Sequence, residues 1–424
     1  MIGGMFILFL VLLLLNVPIA FSLGASSLFY LLTSNMNAAV LAQKFYAGID
    51  SFTLLCIPGF MLAGALMNGG GITRRILNFC NAFLGHFTGS LALVNIVASM
   101  VFAGISGTAI ADVCSLGGML IPAMVEDGYD DDFSVAVTAA SSVVGPIIPP
   151  SVPMVIAGSC VSISVGKMFQ AGIIPGVLCG LAQMIVSYFM AKKEGVPKEP
   201  GHFTIGPVLH GLWESWPALL MPIIIVGTIT MGIVSPTEAG VIAVVYGLFA
   251  GGIIYRELKW EDIKFAFAET VRTSGRIFIV IGAAKLYTVM LTTAGFDKWV
   301  AKTMLGFSTN PTVILVMILL IFFIVTMFME SIATLTLFMP ILYPIALGVG
   351  IDPIVLSVLI TVVIGVGLVT PPVGMCIYVA CDLMDVTVGE VFPTLVPFIA
   401  ATFVCIVLMV AFPQLILLPT YLMA

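Results

Sequence analysis

Apolar windows of about twenty residues recur from one end of the chain to the other, separated by short polar or glycine- and proline-marked connectors. About 20 apolar residues cross the hydrocarbon core as a helix, so the pattern predicts many membrane spans. In the first half, an apolar run at 2–15 is followed by Pro18 and a second run ending near 33. A mixed-polarity stretch at 38–50 has the make-up of a helix lying along the interface. A third span at 51–68 and a second mixed stretch at 72–88 complete the series. The second half repeats it at 217–233, on to 255, then 258–275, 276–292 and 296–309. Residues 5–15 lack a basic leading region and a clear small-residue cleavage site, so they read as a first membrane helix and not as a cleaved signal.

Two stretches, 91–124 and 311–345, depart from this spacing. Each is too long for one span, and each half of it is too short for a full crossing. Each also has small or polar residues in its middle: Gly104-Ile105-Ser106-Gly107-Thr108 in the first, Glu330-Ser331-Ile332-Ala333-Thr334 in the second. Re-entrant helical hairpins fit these lengths. After each comes an apolar span, 132–165 or 353–384, interrupted by Gly145-Pro146-Ile147-Ile148-Pro149-Pro150-Ser151 or by Gly367-Leu368-Val369-Thr370-Pro371-Pro372-Val373. Proline removes a backbone donor and pushes the preceding residue out of the helical region. Both spans are therefore predicted to be broken helices. Closing spans lie at 170–191 and 393–417.

The halves are duplicates. Pro122 and Pro344, Gly128 and Gly350, Asp130 and Asp352, Gly145 and Gly367, Pro149 and Pro371, Pro150 and Pro372, and Pro175 and Pro397 all stand 222 residues apart. The offset drifts slightly at Gly71 and Gly295, Gly166 and Gly389, and Pro18 and Pro236. One such match is chance; seven at one offset mark a repeat, here 1–200 and 201–424. A hairpin that enters and leaves by one side contributes no crossing, so each half crosses five times. The second repeat is then inverted, the build of secondary transporters.

Basic residues set the expected orientation. Arg74, Arg75, Lys192, Lys193, Lys198, Arg256, Lys259, Lys264, Arg272 and Arg276 fall on one side, and Lys44, Lys167, Lys298 and Lys302 on the other. The richer side is cytoplasmic by the positive-inside rule. Both termini then lie outside, the first hairpin opens from the cytoplasm, and the second opens from outside.

Composition agrees with a membrane protein: 61% of the 424 residues are hydrophobic and 8% charged, against about 25% charged in a soluble domain. The net charge of −6 is spread over short loops and gives no indication of a nucleic-acid partner. The eight cysteines (56, 80, 114, 160, 179, 376, 381, 405) form no CxxC pair and read as small buried hydrophobes. His86, His202 and His210 stand far apart, which argues against a histidine metal site. Nothing matches GxxxxGK[ST], so energy must come from an ion gradient or another subunit.

The candidate chemistry lies at the tips and breaks. One half-helix ends in unpaired carbonyls, which suit a small cation, and the next begins with unpaired amides, which suit an anion. One sodium site is expected per half. The first comprises Gly104, Ser106, Gly145, Ile148 and Pro150; the second, Met329, Thr334, Gly367, Thr370 and Pro372. Ser106, Thr108, Ser151, Glu330 and Ser331 are the expected substrate contacts. Two alternatives stay open: Gly and Pro that only kink packed helices, and hydroxyls that only bond back to helix carbonyls. Asp112, Glu238, Lys285 and Glu330 are charges in apolar segments, where burial is costly and function is the default. Glu330, at a tip, is the strongest of them. Asp112 contacts the ligand or pairs locally, Glu238 in Ser235-Pro236-Thr237-Glu238 caps a helix, and Lys285 snorkels or meets an acid. Trp213, Trp216, Trp260 and Trp299 sit near span ends as interface anchors.

At 104–112 (GISGTAIAD), 145–151 (GPIIPPS), 235–240 (SPTEAG) and 370–374 (TPPVG) the chain resembles the large membrane subunit, of DctM/SiaM type, of the tripartite ATP-independent periplasmic (TRAP) transporters. The resemblance spans essentially the whole chain. It implies sodium-coupled import of an organic acid, of sialic acid or C4-dicarboxylate class, in the bacterial inner membrane. The implied partners are a small four-helix membrane subunit, expected as a separate chain, and a soluble periplasmic binding protein. It also implies an elevator mechanism, with transport elements at 90–165 and 311–384 moving against scaffold helices at 1–68 and 217–292. The family often has Asp where Glu330 stands. The rival readings are a stand-alone sodium/anion symporter and an intramembrane enzyme; the scarcity of histidine and the inverted repeat oppose the enzyme.

Overall fold

A computed structural model describes residues 2–34, 36–194 and 204–422, and among these every regular element is helical. Lys198 and His202 lie outside the described residues. Eight helices among the described residues are long and apolar enough to cross a membrane, and they include the return arms of both expected hairpins, Ala109–Glu126 and Ser331–Gly348, which are longer than the expected half-crossings. The shorter apolar helices include Ser90–Ser106, Val152–Val161, Pro311–Thr326 and Pro353–Gly367, which are hairpin arms and pieces of the broken spans. The chain is thus an all-α polytopic membrane protein.

Equivalent positions adopt equivalent backbones. Gly71 (φ 73°) and Gly295 (φ 76°) both turn the chain left-handed just before the amphipathic helices Ile72–Leu84 and Phe296–Phe307. Gly128 and Gly350 do the same before the broken spans, at φ 92° and 84°. Asp130 and Asp352 then stand at the N-caps; the Asp352 carboxylate accepts from the amides of Ile354 (2.8 Å) and Val355 (3.1 Å). Both Pro-Pro bonds, Pro149–Pro150 and Pro371–Pro372, are cis.

The structure differs from the expected series in three places. The span expected at 217–233 starts earlier, as the helix Ile205–Thr230. The stretches 258–275 and 276–292 form one helix, Trp260–Thr293, and not an interfacial segment followed by a span. At 34 residues it is about 50 Å long, so its polar first part runs out beyond a core of about 30 Å. The matching stretch of the first half does break, into Ala39–Ile49 and Phe52–Gly69, because Ser51 is extended (φ −137°, ψ 122°). No proline or left-handed residue interrupts 260–293. The closing span also ends early, at Ala411. Phe412, forced out of helix by Pro413, bends the chain into a short helix, Gln414–Leu422.

Two regions of close packing stand out. Cys56–Gly69 and Pro236–Phe249 cross through Gly59 and Gly240, where a β-carbon on Gly59 would fall 3.0 Å from the Gly240 Cα. Small residues at such crossings let membrane helices approach closely. The hairpins and broken spans pack on one another around Phe133, Phe169, Phe322 and Phe398, all fully buried.

Candidate functional site

The first hairpin runs up helix Ser90–Ser106, turns at Gly107-Thr108, and returns through Ala109–Asp112, a π-helical turn at Val113–Gly117 and helix Gly118–Glu126. Gly107 makes the turn possible: it is left-handed (φ 64°), and a side chain there would run into the Pro150 carbonyl. The tip docks on the first break, where the Val152 amide donates to the Gly107 carbonyl at 3.1 Å. Ser151 caps the second half-helix; its Oγ accepts from the Met154 amide (3.2 Å) and donates to the Pro146 carbonyl (2.5 Å).

At the centre of this junction is Asp112, 1% exposed. Ser106 Oγ donates to its Oδ1 at 2.6 Å, while its Oδ2 is buried and without a hydrogen-bond partner. That orphaned oxygen faces Gly145: a β-carbon added there would lie 2.9 Å from Oδ2, and 3.1 Å from the Thr108 carbonyl carbon and the Ser142 carbonyl oxygen. A buried carboxylate lacking a donor is costly, and backbone carbonyls around it only add negative potential. The donor set is all oxygen, which fits a small hard cation.

The second hairpin runs Pro311–Thr326, turns over 327–330, and returns as Ser331–Gly348. The tip is therefore at Met327-Phe328-Met329-Glu330, with Glu330 as the N-cap and Ser331 to Thr334 forming the first turn of the return helix. Again the break donates to the tip: the amides of Val373 (3.1 Å) and Gly374 (3.4 Å) both reach the Met327 carbonyl. Gly367 lies against Thr326, where a β-carbon would fall 2.7 Å from the threonine Cβ. The hydroxyls of Thr326, Thr334 and Thr370 donate to carbonyls of Phe322, Glu330 and Val366 at 2.6, 3.0 and 2.7 Å. Back-bonding occupies their protons, and their oxygen lone pairs remain.

The two junctions interlock. Val152–Val161, the second piece of the first break, packs on the return helix of the second hairpin. Met375–Asp382, its counterpart, packs on the first hairpin. The broken spans meet where a β-carbon on Gly365 would fall 2.9 Å from the Val143 carbonyl oxygen.

Of the residues singled out from sequence, Gly104, Ser106, Thr108, Gly145, Pro150 and Ser151 come together at the first junction. Ile148 turns its side chain towards Gly176 of helix Val165–Glu194. Met329, Glu330, Ser331, Thr334, Gly367, Thr370 and Pro372 belong to the second junction's tip and break. Asp112 was outranked in sequence by Glu330; its signal was its place six residues after Ser106, across a glycine turn. Glu238 makes the capping box, with its amide donating to Ser235 Oγ (3.3 Å) and its Oε2 accepting from the Ser235 amide (2.7 Å). The four tryptophans are all exposed. Cys114 is exposed and Cys160 half-buried, so these two are not the buried hydrophobes expected.

The sequence matches the family described as the tripartite ATP-independent periplasmic transporter, DctM component, over residues 6–415. It is similar to the sialic acid TRAP transporter large permease protein SiaM of Vibrio cholerae, 39% identical over 95% of this chain and 94% of that one. It is also similar to the isethionate TRAP transporter permease protein DctMQ of Oleidesulfovibrio alaskensis, 38% identical over 94% of this chain and 62% of that longer protein. Among solved structures, the YdaH transporter of Alcanivorax borkumensis superposes with a TM-score of 0.64 over 88% of this chain and 87% of that one, at 12% identity, a likeness of fold. The chain therefore belongs to the DctM family, as a large membrane subunit of TRAP-type transporters.

Proposed function

We propose that this subunit imports an organic acid anion together with sodium, receiving the acid from a periplasmic binding protein and working beside a small membrane subunit. The observation that carries the sodium part is Asp112: one oxygen held by Ser106, the other buried, unpartnered and facing Gly145. Sodium bound there, with the Thr108 and Ser142 carbonyls at hand, offsets the buried charge and ties the first tip to its break. The second ion belongs at the matching junction of Met327, Thr326, Thr334 and Gly367, beside Glu330. Amides and hydroxyls near Ser106 and Ser151 then take the substrate carboxylate. Sialic acid and C4-dicarboxylates are the leading substrate classes, on the strength of the relatives.

The matched backbone turns and interlocked junctions support two inverted repeats whose hairpins and broken spans together form one rigid carrier. That carrier slides against the scaffold helices as an elevator, loaded with both ions and substrate. Both chain ends then lie in the periplasm. The test is uptake by proteoliposomes holding this chain and its small subunit. Uptake must need an inward sodium gradient and the binding protein. Uptake persisting without the gradient rules out the ion sites, and uptake without the binding protein points instead to a stand-alone symporter.

A further inference from the structure

A cavity of about 220 Å³ lies apart from the two junctions, between scaffold and carrier. Helices Ala39–Ile49 and Trp260–Thr293 bound it on one side, Val152–Val161 and Ser331–Gly348 on the other. Its polar lining is Asp50, Ser51, Ser159, Cys160, Thr336 and Lys285. Lys285 is the unusual member. Its stem crosses the neighbouring helix at Gly48, where a β-carbon would fall 2.7 Å from the lysine Cβ. Any residue but glycine at 48 would therefore displace that stem. Lys285 is part-buried, and among the described residues its ammonium makes no ion pair or hydrogen bond. Asp50, the other charged residue of the lining, is exposed and outside ion-pair range.

An ammonium held in an apolar segment without a counter-charge is costly. The hydroxyls of Ser51 and Ser159, 3.1 Å apart, bridge scaffold and carrier across the same cavity. Its volume equals roughly seven waters, at about 30 Å³ each, which suits a carboxylate or sulfonate group with a few carbons. We propose that this cavity is a second anion station, apart from the one near Ser106 and Ser151, in which Lys285 and the Ser51 and Ser159 hydroxyls hold the acidic group of the transported solute at another stage of its passage. Identifying the anion as cargo rests on the transport reading; the anion site itself does not.

Cys160, lining the same cavity, serves as a reporter. The purified full chain is treated with two methanethiosulfonates, one carrying a sulfonate and one a trimethylammonium, and modification of the Cys160 peptide is followed by mass spectrometry. The sulfonate reagent should react faster. The rate ratio should fall roughly fivefold to tenfold in Lys285→Gln, as expected for one unit charge several ångströms away, and be kept in Lys285→Arg. Sialic acid, isethionate or succinate should slow the reaction in wild type and not in Lys285→Gln. An unchanged ratio in Lys285→Gln, or no protection by any of the three acids at millimolar concentration, overturns the proposal. Protection that survives alongside sodium-independent uptake would leave the anion site standing and remove the sodium-coupling reading instead.

Discussion

Ser106 and Asp112 form the pair on which the proposed ion site turns. Hydrogen bonds to charged groups contribute about 1.5–3 kcal/mol, so Ser106→Ala should raise the sodium concentration for half-maximal uptake at least about tenfold. Titrating sodium in proteoliposomes measures this; an unchanged half-saturation would remove Ser106 from the site. Gly145→Ala places a methyl 2.9 Å from the orphaned Asp112 oxygen, where the ion is proposed to sit. Uptake should fall more than tenfold, and sodium should no longer raise the melting temperature, whatever stability the crowding against two backbone atoms costs without sodium. A variant that transports normally would show that nothing binds at that oxygen. Much of this was legible in the sequence, since Ser106, Thr108 and Gly145 are polar or small residues in otherwise apolar runs. The rank of Asp112 was not, because whether a carboxylate is partnered depends on what the fold brings opposite it.

Among the elements, the helix start at Ser235 was read correctly from the sequence. Ser235 and Glu238 complete a capping box, as do Thr387 and Glu390 at the closing helix, since the spacing of three residues alone lets each side chain reach the other's amide. Ser235→Ala should cost about 1 kcal/mol, lower the melting temperature by about 2 °C, and leave uptake intact. Lost uptake with unchanged melting would assign Glu238 a transport role. Helix ends were less predictable. The single helix Trp260–Thr293 replaces two expected segments because it packs along its length on Ile19–Thr33, Ala39–Ile49, Cys56–Gly69 and Ser331–Gly348. Continuous contact of this kind outweighs a local change in polarity.

Across the whole molecule, a partly exposed cluster ties the two halves of the chain together. Glu257 receives hydrogen bonds from Arg75 (2.6 Å) and Arg74 (3.3 Å), and Arg75 also lies over the Tyr255 ring, 4.1 Å from its centroid. The Arg75 hydrogen bond, more than charge alone, holds the Glu257 carboxyl below its usual range. A depressed folded pKa adds stability above the unfolded value, and that stability is lost as pH falls through the folded value. Melting temperature should therefore drop between about pH 5 and pH 3, with part of the drop absent in Glu257→Gln. The effect should be small and weaken in high salt, because the pair is partly exposed. A pH profile identical in wild type and Glu257→Gln would mean the cluster contributes no stability.

The sequence by itself determined the membrane class, the matched motifs at one offset, the helix–turn–helix stretches at 91–124 and 311–345, and the two proline breaks. Each follows from local chemistry: hydropathy, segment length, and proline's missing donor. Tertiary structure alone decided that each break's second half-helix packs on the other repeat's hairpin, that Asp112 is left with a bare oxygen at Gly145, and that Lys285 points into a cavity without a partner. Those outcomes depend on which surfaces meet across long stretches of chain, and no local pattern encodes the far side of a contact.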